Sequence, residues 1–348
     1  MTRSSLSVAT LASLLATGSV AAHAGDVRYT LTQIVPDTPT SSILAPDLSD
    51  RDQVVGFIQD SSGHEHAFAW RDGTLTNLAP LMDPNTTQSR ATGNNDRGDI
   101  VGFFFDAPSD SFVNVLLPRG GGAATRIDGV PGTSSTSLVD INDHRQILGN
   151  SLADDFSTNR VFIVENGNLM ELPPLAGDTT AVGTVLNERG EVLGVSGAGL
   201  ARHVVIWDDA EPVALNIPAA GVARDLNDRK QVVGEVSTGE GSNAFLWERG
   251  TFTQLPSLAG AVRTGAYSVN NAGEIVGTAA LSTAPRATLW NDGQVSDLND
   301  LILASDPQQP FVTLEQAPLI NDHGVIVATG RDSRFPQELR TYLLTPVH

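Results

Sequence analysis

The chain has 348 residues with 33 glycines, 19 prolines and only 5% aromatic residues, a balance that suits many short strands joined by turns better than long helices. Forty acidic residues against 21 basic ones leave a formal charge of −19, a field that repels nucleic-acid phosphates and anionic lipid headgroups, so no nucleic-acid partner is expected. There is no cysteine, which excludes disulfides, thiolate metal sites and a cysteine nucleophile.

In chain order, residues 1–24 read as a signal peptide. Arg3 gives the positive start, an apolar run follows, and Ala22-His23-Ala24 fits an A-x-A cleavage signal, so cleavage is expected after Ala24. The run is broken by Ser and Thr and is short of the roughly 20 apolar residues of a spanning helix, so no integral membrane anchor is expected. The expected location is secreted or periplasmic.

After "YTLTQI" at 29–34 a repeat begins. Seven segments align without gaps: "SDRDQVVG" (49–56), "NDRGDIVG" (95–102), "NDHRQILG" (142–149), "NERGEVLG" (187–194), "NDRKQVVG" (227–234), "NNAGEIVG" (270–277) and "NDHGVIVA" (321–328). Their ends lie 40 to 51 residues apart, the spacing of a propeller blade. A second block follows each: "HAFAWRDG" (66–73), "VNVLLPRG" (113–120), "RVFIVENG" (160–167), "HVVIWDDA" (203–210), "NAFLWERG" (243–250), "RATLWNDG" (286–293) and, at the end, "RTYLLTPVH".

Each unit reads as four strands. Alternating residues before the Asn form the first, the Asn-to-Gly segment is a tight turn, "QVVG" the second, "AFLW" the third, and "FTQL" after another turn the fourth. Residues 25–348 are therefore expected to form one all-β domain, a seven-bladed β-propeller of four-stranded antiparallel blades. The seventh unit stops after its third strand. The strand at 29–34 is expected to supply the missing fourth, closing the ring and removing an open edge.

"HAFAW", "NAFLW" and "HVVIW", each following an Asn-x-x-Gly type segment, resemble the HAF-repeat family of bacterial extracellular proteins. Only His66-Ala67-Phe68 is literally that tripeptide, and Val113 stands where the motif has His. The resemblance implies an exported repeat protein without an assigned biochemical role, and it supplies no catalytic residues.

Trp70, Trp207, Trp247 and Trp290 share one repeat position, which points to packing between blades rather than a sugar platform. His66, Arg160, His203, Asn243, Arg286 and Arg340 share another, read as polar strand-edge residues. His64 and His66 offer two metal ligands and the sequence indicates no third, so no metal or other cofactor is expected. Asp143, Asp228 and Asp322 lack the dense acidic run of a calcium loop and read as turn residues. No nucleophile elbow, zincin motif or phosphate loop is present, and no catalytic residue is assigned.

The connections that vary in length join strands two and three, or one blade to the next, and an up-and-down topology gathers both kinds on one face. Candidate binding residues on that face are His64, Glu65, Asp83, Asp106, Asp154, Asp155, Asp178, Arg263 and Arg331. The expectation is a monomeric binding or scaffold module for a protein or glycan ligand. The alternatives are a polysaccharide hydrolase or lyase with carboxylates at the channel mouth, and a purely structural envelope protein.

Overall fold

The computed structural model describes residues 27–34, 42–60, 62–154, 156–199, 202–218 and 220–347. The expected signal peptide and Asp155 lie outside these.

The repeat motif folds as a strand, a side-chain-stabilised turn and a returning strand. In the fifth unit the first strand, Gly221–Leu226, ends at Asn227, whose Oδ1 accepts the N–H groups of Arg229 and Gln231 at 3.0 Å each. Lys230 takes a positive φ of 57° to close the turn, and Val232–Thr238 runs back antiparallel. Gly241–Glu248 and Thr251–Gln254 complete the blade. Six units repeat this order of four neighbouring strands.

The seventh sheet is composite. Val312–Ile320, Ile326–Asp332 and Phe335–Val347 come from the C-terminal unit, and Arg28–Gln33 is its outer strand, with Leu31 opposite Leu344 and Gln33 opposite Tyr342. The fold is a seven-bladed β-propeller closed by its N-terminal strand.

Every first strand carries an irregularity just before its last two residues, for example between Ala223 and Asp225 or between Ala266 and Ser268. It explains the glycine that ends six of the seven motifs. In five of these six the displaced carbonyl of the first strand lies over that glycine's Cα, so a Cβ on Gly234 would overlap the Val222 oxygen and one on Gly277 the Gly265 oxygen, whereas a Cβ on Gly149 would overlap the Phe162 ring. In the seventh unit the irregular stretch runs from Leu314 to Leu319 and the carbonyl of Thr313 lies over Gly330 instead, which leaves room for Ala328.

The core lies between blades. One cluster joins Leu148, Val161 and Ile163 of the third blade to Ala181, Val192, Val205 and Trp207 of the fourth, and equivalent clusters fill the other seams. Trp70, Trp207 and Trp290 are buried in this way, and Trp247 is partly exposed. The indole N–H of Trp207 donates to the Pro173 carbonyl of the preceding blade, that of Trp290 to Pro256, and that of Trp247 to the Asn216 side chain, so these three indoles also carry polar bonds across a seam.

Candidate functional site

The motif asparagine does more than shape its own turn. Its Nδ2 donates across the seam to the main-chain carbonyl of the same motif position in the next blade, from Asn95 to Asn142, Asn142 to Asn187, Asn187 to Asn227, Asn227 to Asn270, Asn270 to Asn321 and Asn321 to Ser49, at 2.8–3.2 Å. Six seams are bonded in this way. The seventh, from blade one to blade two, begins at Ser49, whose hydroxyl serves only its own turn.

The next motif residue builds a second ring. An N–H at each turn donates to an oxygen one blade further on: Arg51 to Asp96, Asp96 to Asp143, Asp143 to Glu188, Glu188 to Asp228, Asp228 to Asn271, Asn271 to Asp322 and Asp322 to Asp50. Six carboxylates and one amide thus circle the axis on the short-turn face.

Inside this ring the ends of the inner strands enclose a cavity of about 420 Å³, whose lining includes Asp47, Asp140 and Asp225. These three share one repeat position. Each accepts the amide that follows it, and its other oxygen reaches the next blade, to the N–H of Asn94, Leu186 or Val269. Burial within the ring pushes all three carboxyls above the usual range, opposed by these amides. Burial also raises Asp50 to about 6 and Glu188, with Asp143 and Asp228 adding their charge, to about 7.

The opposite face is chemically different. All four exposed aromatic side chains among the described residues, Phe112, Phe156, Phe311 and Phe335, stand there, in or beside the variable connections. Phe112 packs edge-on against Phe103 and Phe105, with ring centroids 5.3 and 5.4 Å away. Beside this group Arg90 lies over Phe57, 4.3 Å from the ring centroid, and forks onto Glu65 through Nε at 2.5 Å and Nη2 at 2.6 Å.

The candidate residues read from the sequence are spread around this face, most of them tied within their own blade or seam. His64 is exposed beside Asp60 and Ser62, and Glu65 holds Arg90. Asp83 accepts the Asn85 amide, Asp106 the Ser109 hydroxyl and Asp178 the Ser196 hydroxyl. Asp154 and Arg263 are exposed, and Arg331 pairs with Glu315 at 2.9 Å. Arg160, Arg286 and Arg340, at the strand-edge position, pair with Glu171, Asp297 and Glu338.

Two groups escape the sequence. The carboxylate ring has a visible signal, an acid at the second motif position in six of seven units, yet as turn chemistry it carries no hint that the turns converge on an axis. The Phe103, Phe105 and Phe112 group occurs in one blade and has no repeat signature.

No helix among the described residues is long and apolar enough to cross a membrane. No protein-family model matches the sequence, and comparison with curated proteins returns no match. Solved structures share the fold. The β-propeller domain of the trilobed protease from Pyrococcus furiosus is 10% identical with a TM-score of 0.59, covering 88% of this chain and 94% of that one. Pyrococcus horikoshii acylaminoacyl peptidase is 12% identical with a TM-score of 0.59 over 88% of this chain and 51% of that one. YCF48 from Cyanidioschyzon merolae is 14% identical with a TM-score of 0.55 over 91% and 99%. At these identities the likeness is one of fold.

Proposed function

We propose that this chain is an exported binding or scaffold module that engages a protein or glycan partner through its variable-loop face. The observation that carries the reading is the one-sided distribution of exposed aromatic rings: Phe112, Phe156, Phe311 and Phe335 share that face of a molecule whose net charge is −19. Exposed aromatics on a rigid scaffold supply contact area at low entropic cost, and the Arg90–Glu65 pair beside Phe112 adds directional donors and acceptors without net charge. Export belongs to the same reading and rests on the signal peptide expected from the sequence of residues 1–24.

A glycan array and a pull-down from the culture medium of the source organism, each run with parent protein and with variants, test the reading. Phe112→Ser combined with Phe335→Ser is expected to abolish retention of a partner that the parent retains, while Asp228→Asn on the opposite face leaves it unchanged. Retention that survives the loop-face changes and disappears with the turn-face change sinks the proposal.

A further inference from the structure

His64 and His66 stand two residues apart at the start of the third strand of blade one, so their side chains leave the same face of the chain. The connection from the second strand brings Asp60 to both. Its Oδ2 is 3.0 Å from Nε2 of His66 and 3.9 Å from Nδ1 of His64. Its Oδ1 accepts the N–H groups of Ser62 and His64 at 2.8 and 3.0 Å and the Ser62 hydroxyl at 2.6 Å, which fixes the carboxylate in this orientation.

Donor atoms around a tetrahedral ion with bonds of 2.0–2.2 Å lie about 3.3 Å apart. The separations of 3.0 and 3.9 Å bracket that spacing. Among the described residues no group of three or more His, Asp or Glu side chains is placed to hold a metal ion as it stands, and in this trio His66 Nε2 is hydrogen-bonded to Asp60 and His64 Nδ1 to the Ser62 hydroxyl. An ion would replace both bonds.

We propose that Asp60, His64 and His66 bind a divalent transition-metal ion of the Zn²⁺ type on the variable-loop face. Two imidazole nitrogens with one carboxylate oxygen match Zn²⁺ and its neighbours, whereas Ca²⁺ and Mg²⁺ take sets made mostly of oxygens. The side chains are between 35% and 47% exposed, so the remaining positions are open to water or to a partner's donor group. The acidic chain attracts cations.

Calorimetric titration of the full chain, prepared without a histidine tag, with Zn²⁺ at pH 7.5 tests the site. One equivalent is expected, weakened at least tenfold by Asp60→Asn and by His66→Asn, and unchanged by His203→Asn and His323→Asn. Should either core variant unfold, His64→Gln leaves the Asp60–His66 bond in place and carries the same expectation. Zn²⁺ binding that is absent, that persists unchanged in the three site variants, or that falls equally in His203→Asn overturns the assignment.

Discussion

The main-chain N–H of Leu31 donates to the carboxylate of Asp306, 2.7 Å away across 275 residues of sequence. Asp306 is 6% exposed and its other oxygen holds the Gln308 amide, while the Gln308 side chain returns a bond to the Leu31 carbonyl and Leu303 N–H reaches Tyr29. The closing strand is therefore gripped twice, by Phe335–Val347 along one edge and by the connection between blades six and seven along the other. Asp306→Ala leaves a buried amide without its charged acceptor and is expected to cost about 1.5–3 kcal/mol. Asp154→Ala, at an exposed loop position, is expected to change stability by less than about 0.5 kcal/mol. Denaturant midpoints of the two variants check this, and equal values would show that the connection does not hold the strand.

The carboxylates along the axis make the protein more stable in mild acid than at neutral pH. Burial raises Asp50 to about 6 and Glu188 to about 7 and pushes Asp47, Asp140 and Asp225 upward, whereas the unfolded chain titrates such groups near about 4. Between those values the folded protein binds more protons than the unfolded chain, so stability falls as the pH rises from about 4 through about 7. Asp332, which hydrogen bonds from Arg334 hold low, acts in the opposite sense, and only below about pH 4. A thermal midpoint several degrees higher at pH 5 than at pH 8 is expected, and Asp225→Asn should flatten the slope. A midpoint that climbs from pH 5 to pH 8 contradicts it.

The scaffold is legible in the sequence because its structural tasks recur from blade to blade. One asparagine both shapes a turn and bonds the next blade, one glycine makes room for a displaced carbonyl, and one tryptophan fills a seam, so register alone exposes them. The strand at 29–34 follows from counting, since a unit that ends after its third strand needs a partner. Contacts made once leave no such trace. Glu65 with Arg90, Asp60 with His66 and Leu31 with Asp306 depend on how a single loop folds back, and composition or spacing says nothing of it. That is why His64 with His66 reads as a pair lacking a third ligand.

Ser49 marks a seam that can be strengthened. It stands at the motif position that holds Asn in the other six units, and its short side chain makes no bond to Asn95 of blade two. Ser49→Asn would supply an Oδ1 for the Arg51 and Gln53 amides and an Nδ2 for the Asn95 carbonyl, as Asn142 does toward Asn187. A gain of about 0.5–1.5 kcal/mol is expected from one added seam hydrogen bond. The reverse change, Asn227→Ser, removes such a bond together with the one to Gln231 and should destabilise by a comparable or larger amount. If Ser49→Asn is neutral or harmful in denaturant unfolding, the girdle contributes turn geometry rather than cohesion between blades.

The glycine that ends the repeat motif gives the sharpest steric prediction. A Cβ on Gly234 would overlap the Val222 carbonyl oxygen and crowd both Ala223 and the Phe245 ring, all of them parts of a packed blade interior. Neither neighbour is the free end of a flexible side chain, so the strands must separate where Ala223 and Asp225 step past one another. Gly234→Ala is expected to cost about 2–4 kcal/mol, in the range of an overpacked core site. Gly250→Ala meets no atom within 4 Å but must hold a φ of 81°, so its cost is backbone strain alone, about 1 kcal/mol. The comparison that isolates the effect is Ala328→Gly, at the equivalent position of the seventh unit, where the carbonyl lies over Gly330 instead and the change should cost no more than the loss of one buried methyl. Thermal unfolding of the three variants ranks them, and a Gly234→Ala protein as stable as its parent would show that the displaced carbonyl is not what the repeat preserves that glycine for.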